Sequence, residues 1–195
     1  MIIYELKRNY EYSGGFSLKL PPEKAVSKFS ILSLSCAYKG KILPDNIISD
    51  EFKVFPNDYG RKNFKFDFHI EGNIFILSKK LYERLSPILS DCGHCFKIIT
   101  DSKKKEYIGY HLTKVIDCLD LKSSEYKRYE NGIIIYKPVL CENKISEKYI
   151  FQIKEDLFRV FVTEEFKKIL DDNKVLDFDF NENAIVDLAP DAARL

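Results

Sequence analysis

The residues best suited to chemistry in this chain are Cys92-Gly93-His94-Cys95. Two thiols at this spacing form the pattern of a dithiol–disulfide exchange site. In such sites the tetrad follows a strand and opens a helix, whose N-terminus lowers the first thiol's pKa and holds a reactive thiolate. The surrounding order is reversed here. Leu81, Tyr82, Leu85 and Ile88 fall at helical spacing before the tetrad, and Phe96-Lys97-Ile98-Ile99 reads as a strand after it. No helix N-terminus then faces Cys92, and Asp91 beside it disfavours the thiolate. A turn that happens to hold two cysteines is the preferred reading. A thiol–disulfide oxidoreductase using Cys92 and Cys95 is the alternative. Zinc would need Cys92, His94 and Cys95 plus a fourth ligand from His69, His111, Cys118 or Cys141, and no second close-spaced pair supplies one. No metal is expected.

Other groupings are sparser. Asp117, Asp120 and Glu125 could serve carboxylate chemistry or a hard cation, but the run Asp117-Cys118-Leu119-Asp120 lacks the glycine and the ligand density of a calcium loop. Capping of backbone N–H groups at a strand end explains these acids better, and Asp117→Asn is then expected to cost stability. A small enzyme or ligand-binding module using His111, Asp117 and Asp120 is a second alternative. No nucleophile elbow, phosphate-binding loop or dinucleotide fingerprint occurs, so neither a catalytic residue nor a cofactor is expected. Lys103-Lys104-Lys105 reads as a solvated hairpin tip.

The elements that must position these residues follow from periodicity. Ile2-Ile3-Tyr4 opens a strand, Gly14-Gly15 marks a turn, and Pro21-Pro22 a stop. Phe29 to Ala37 suits a strand or a short helix. Gly40 to Lys62, crowded with turn signals, reads as long connecting structure. Phe64 to Phe68 alternates as a half-buried strand, and Ile74 to Leu77 is a short apolar strand. Ser78 caps a helix that Pro87 ends or kinks. Further strands are expected at Tyr107–Ile116, at Ile133–Tyr136 after an Asn131-Gly132 turn, and at Ile150–Ile153 paired with Leu157–Val162. Thr163 then caps a second helix to about Asp172, with Glu164 and Glu165 in its first turn. Val175 to Phe180 alternates apolar and acidic residues, and Ile185-Val186 suits a last edge strand. A strand–hydroxyl–helix unit occurs twice, at Phe75 to Leu81 and Val160 to Phe166, which chance and shared capping grammar explain about as well as an ancient duplication.

Composition limits the function classes. The chain has 195 residues, enough for one domain with a full core. Its 31 basic and 30 acidic residues give no general attraction to nucleic acid or to anionic membrane. No apolar run approaches the roughly 20 residues of a membrane span. The N-terminus lacks a signal-peptide pattern. Five cysteines, an odd number, suit reduced thiols in the cytoplasm.

From about Phe64 to Leu188 the chain resembles a family of bacterial immunity proteins of polymorphic toxin systems, typified by a myxobacterial immunity domain. Three features carry the resemblance. The first is Ile74-Phe75-Ile76-Leu77-Ser78 leading into the Leu81–Leu85 helix. The second is the run Tyr107-Ile108-Gly109-Tyr110-His111-Leu112, followed by a V-x-D-x-L-D element with a downstream serine: Val115, Asp117, Leu119, Asp120 and Ser124. The third is Ile150–Ile153, Phe158–Val162 and the helix begun by Thr163-Glu164-Glu165-Phe166. A glycine expected shortly after that helix is absent, and Val175-Leu176-Asp177 stands there. The resemblance implies a cytoplasmic antitoxin that binds and blocks a cognate toxin protein. Acids at Asp171, Asp172, Asp177, Asp179 and Glu182 form a candidate interface for a basic nuclease toxin.

The expectation is therefore an α+β fold: an antiparallel-dominated mixed sheet with a few short helices. Residues 1–188 form a single immunity-type domain, with a less regular part over 1–63 and the family-like part over 64–188. Residues 189–195, rich in alanine, read as a flexible tail or a remnant foreign to the domain. Oligomeric state is left open.

Overall fold

The structure, a computed structural model, describes residues 1–9, 66–100, 102–103, 105–145 and 149–189, and the backbone of 15–18 and 48–55. It is α+β, with antiparallel-dominated sheets and two helices.

The larger sheet has six strands in the order β3 (Gly15–Leu18), β4 (Ile48–Phe55), β7 (Gly93–Thr100), β8 (Tyr107–Leu112), β6 (Ile74–Ser78) and β5 (Phe68–Glu71). All neighbours are antiparallel except β4 and β7. Strand β6 is buried along its whole length, which is why it reads as an apolar run without alternation. Gly72 makes the β5–β6 turn at φ 58°, a left-handed conformation that favours glycine.

A second sheet runs β1 (Ile3–Glu5), β14 (Asp156–Thr163), β13 (Ile150–Ile153) and β9 (Val115–Ile116). It too is covered on both faces. Tyr4, Ile150, Val160 and Val162 enter one core, while Ile3, Phe151 and Phe161 enter another. Neighbouring residues on a strand point to opposite faces, so this sheet is the wall between two cores.

The first core is closed by α1 (Lys79–Leu89) and α2 (Glu164–Asp172). Leu81, Leu85 and Leu89 recur every four residues and are buried, as are Phe166 and Leu170. Ser78 caps α1, its Oγ accepting the Leu81 N–H at 3.3 Å. Helix α2 ends in a Schellman motif: Val175 N–H donates to the Leu170 carbonyl at 3.0 Å and Lys174 N–H to Asp171 at 2.9 Å. The left-handed position falls on Lys174, at φ 55°. A lysine thus takes a conformation that helices usually give to glycine.

The second core holds Cys118, Leu119, Ile135, Leu140 and Ile145. It is covered by a hairpin of β10 (Glu125–Tyr129) and β11 (Gly132–Lys137) and by β12 (Val139–Cys141), which pairs in parallel with β16 (Asp187–Ala189). Strand β15 (Phe178–Asp179) pairs with β2 (Lys7–Arg8).

Several sequence expectations change. Gly15 opens a strand instead of sitting in a turn, and β4 lies inside the stretch expected to be connecting structure. The strand expected over Phe64–Phe68 begins only at Phe68. The Phe66 and Phe68 alternation records two buried rings, while Asp67 between them bends the chain, its carbonyl accepting the Ser78 N–H. Tyr107–Ile116 is broken into β8 and β9, which belong to different sheets. Thr163 precedes α2, but its side chain makes no capping bond. Its N–H donates to the Tyr149 carbonyl. The last strand starts at Asp187, and Ile185 only bridges to Tyr4. Ala189 closes β16 and so belongs to the sheet pair. The rest of the alanine-rich end, and Phe29–Ala37, lie outside the described residues.

Candidate functional site

The cysteine tetrad straddles the end of α1 and the start of β7. Cys92 is buried, and its thiol donates to the Ile88 carbonyl at 3.4 Å. Cys95 is exposed on β7 beside Tyr82, whose phenol is pushed up to about 12 chiefly by a hydrogen bond with Cys95. The two intervening residues are extended. That sets the Cys92 and Cys95 α-carbons about 10 Å apart, beyond the roughly 7 Å limit of a disulfide. Among the described residues no helix N-terminus faces either thiol, and α1 presents its C-terminal end. The geometry therefore does not suit a dithiol–disulfide site.

His111 is fully buried on β8, with Nε2 and Asn73 Nδ2 2.9 Å apart. Burial, helped by His94 on the neighbouring strand, pushes its pKa down to about 4 and leaves the ring neutral at pH 7. Asp117 is exposed and lies 3.6 Å from Lys154, and Asp120 bonds within its own turn. Each of the three is engaged elsewhere. Among the described residues no group of three His, Cys, Asp or Glu could hold a metal ion.

The V-x-D-x-L-D element acts as a bracket. Val115 lies half exposed in β9 opposite Gln152. Leu119 is buried in the second core and bridges Leu140. Around that bridge Cys141 N–H donates to the Cys118 carbonyl at 2.7 Å and Asp120 N–H to Val139 at 2.8 Å. The Asp120 carboxylate accepts Ser123 Oγ–H at 2.7 Å and Lys122 N–H at 3.0 Å, and these bonds hold its pKa below the ordinary value. Ser124 is buried, and its Oγ accepts the Val139 N–H at 2.8 Å. The expectation that these acids cap backbone groups holds for Asp120. For Asp117 no such bond is found among the described residues: its side chain is 65% exposed and pairs with the Lys154 ammonium.

What the bracket presents is the β10–β11 hairpin. One face packs inward through Ile135, with Ile133 and Tyr126 partly buried against the second core. Arg159 ties that side down, donating to the Ile135 carbonyl at 3.0 Å while paired with Glu5 at 3.3 Å. The other face carries apolar groups into solvent. Tyr129, Ile134 and Tyr136 are 46%, 51% and 60% exposed. Lys127, opposite Ile134, lies over the Tyr129 ring at 5.2 Å. A hydrogen bond between the two phenols raises the Tyr136 pKa. Beside this face opens a groove of about 540 Å³, lined by Tyr136, Lys137, Glu182 and Ile185 among others. Ile185 is itself 49% exposed. Tyrosines such as Tyr129 and Tyr136 are among the side chains that protein interfaces enrich.

Sequence reading found the Ile133–Tyr136 strand but not β10 or this face. The signal was available, because a strand that begins at a turn needs a partner before it.

The acidic candidates differ in their settings. Asp171 is paired with Lys167 at 2.5 Å, and Asp172 is exposed at the end of α2. Asp179 sits opposite Lys7 and accepts Asn181 Nδ2 at 2.7 Å. Glu182 alone lines the groove. Asp177 is not on the surface at all, being 2% exposed. Its Oδ2 accepts the Asp67 N–H at 3.3 Å, so the apolar–acidic alternation concealed a buried carboxylate.

The exposed hairpin lies within the segment that resembles a known family. Residues 97–184 match the model of the Imm11 immunity protein family. The resemblance to an immunity protein family is thereby shown for this segment, which spans under half of the chain and contains the bracket and the hairpin. The β6–α1 feature precedes the matched segment. No curated protein matches the chain. Among the described residues no helix is long and apolar enough to cross a membrane.

Proposed function

We propose that this protein neutralises a cognate bacterial toxin protein by binding it, without catalysis of its own, in the cytoplasm of the cell that carries both. The observation that carries this reading is the exposed face of the β10–β11 hairpin, which lies inside the immunity-family segment. Tyr129, Ile134 and Tyr136 supply the apolar contact. Lys127, Lys137, Glu182 and Asp187 supply a mixed polar rim. A face of this kind blocks a toxin by covering its active cleft.

The test is affinity purification of the tagged protein from its native cells. A single toxin-domain polypeptide returning in stoichiometric amount is the expected result. Tyr136→Ala and Ile134→Ala should each weaken that complex at least tenfold, as truncation of a central interface residue does at about 2 kcal/mol. Capture of a toxin that both variants bind as tightly as the native chain would place the interface elsewhere. Return of no toxin at all would sink the reading.

A further inference from the structure

The bracket that holds the hairpin contains two cysteines with no assigned role. Cys118 ends the segment after β9 and Cys141 ends β12. The antiparallel bridge between Leu119 and Leu140 places Cys118 directly opposite Cys141, and Cys141 N–H donates to the Cys118 carbonyl at 2.7 Å. Residues so paired have α-carbons about 5.5 Å apart and side chains on the same face. That separation is the common one for disulfides, which span about 4.4 to 6.8 Å. The contrast with Cys92 and Cys95 is geometric: partners across a ladder fit the bond, and partners along an extended strand do not.

We propose that Cys118 and Cys141 close a disulfide when the protein meets a small-molecule disulfide oxidant, clamping the base of the β10–β11 hairpin. The loop so closed contains the whole hairpin, Glu125 to Lys137. The two thiols have different parts. Cys141 is partly exposed, while Cys118 is fully buried and its thiol is pushed up to about 12 by desolvation, with Cys141 as the next cause. Cys141 therefore attacks first. Its thiolate takes one sulfur of the oxidant, breaking that S–S bond and expelling one small thiolate. Cys118 then gives up its proton, and its sulfur attacks Cys141 and expels the second small thiolate. Two protein thiols lose two electrons, and the oxidant becomes two thiols that carry the two protons. At this hydrogen-bonded position β-carbons lie farther apart than at the alternate positions of a ladder. Closure draws the chains together, and a strained bond is readily reduced again.

The bond itself can be tested without any toxin. The full-length protein is incubated with glutathione disulfide, the remaining thiols are blocked with N-ethylmaleimide, and a non-reducing digest is read by mass spectrometry. A peptide pair joining Cys118 to Cys141, lighter by two hydrogens, is expected. Amide exchange across Glu125–Tyr129 and Gly132–Lys137 should slow several-fold on oxidation. Cys141→Ser, at a partly exposed position, should abolish both effects. Blocked thiols at Cys118 and Cys141 after prolonged oxidation would overturn the proposal. So would equal slowing of hairpin exchange in Cys141→Ser.

Discussion

Replacing Asp177 with Asn should make this protein more stable at pH 8 and leave it no more stable than the native chain at pH 4. Asp177 is 2% exposed, and its Oδ1 has no hydrogen-bond partner among the described residues. Desolvation raises its pKa from 3.8 to about 7. The nearby Asp67 carboxylate adds to the rise, while the Asp67 and Phe68 N–H groups and Lys105 oppose it. The group binds its proton more tightly folded than unfolded. Its contribution is therefore fully present below about pH 4 and is lost as pH rises towards 7. Three units of pKa correspond to about 4 kcal/mol at most. For a chain of this size that is on the order of 8–16 °C in Tm. Asn keeps a carbonyl for the Asp67 N–H and has no charge to bury. His111 works against the same window, because its pKa is depressed to about 4 and its contribution is lost as pH falls below 6.5. The quantity to read is thus the difference in Tm between native and variant across pH 4 to 8, in which the His111 slope cancels. That difference should swing in favour of Asn as pH rises. A difference that stays constant, or swings the other way, would refute the buried-carboxylate argument.

Other perturbations separate structural from surface roles. Ser124→Ala removes the acceptor of a buried Val139 N–H and should cost about 1–3 kcal/mol in urea unfolding. Lys174→Gly relieves the left-handed backbone at φ 55° and should raise stability by about 1 kcal/mol in the same assay. Asp117→Asn removes one partner of an exposed pair with Lys154 and should shift stability by less than about 0.5 kcal/mol, against the expectation from sequence that Asp117 is a cap.

The parts of the fold legible in the sequence are those where one physical effect dominates. Strands β6, β13 and β14 are walls between buried faces, so they appear as apolar runs. Both helices show a leucine or phenylalanine stripe after a hydroxyl residue. Strand β10 was missed because Glu125–Tyr129 is largely exposed and charged, and it is a strand by virtue of its partner β11. Strand β4 was hidden by Asp50 and Glu51, residues that strands disfavour, and by turn signals on both sides. The failure at Asp177 is of another kind. Period-two alternation places a side chain on a face, but only the tertiary packing of residues 67 and 177 decides that this face is covered.

The buried part of the family motif and the exposed hairpin face have different settings. Leu119 and Ser124 point inward, and Asp120 spends its carboxylate on its own turn. Their work is to fix where β10 leaves the second core, while Arg159 fixes where β11 returns. The hairpin between them then has one face spent on packing and one face left over, set by the period of two along β11: Ile133 and Ile135 inward, Ile134 and Tyr136 outward. Under the proposed function, toxin specificity would rest on the outward residues, which can change without disturbing the bracket beneath them.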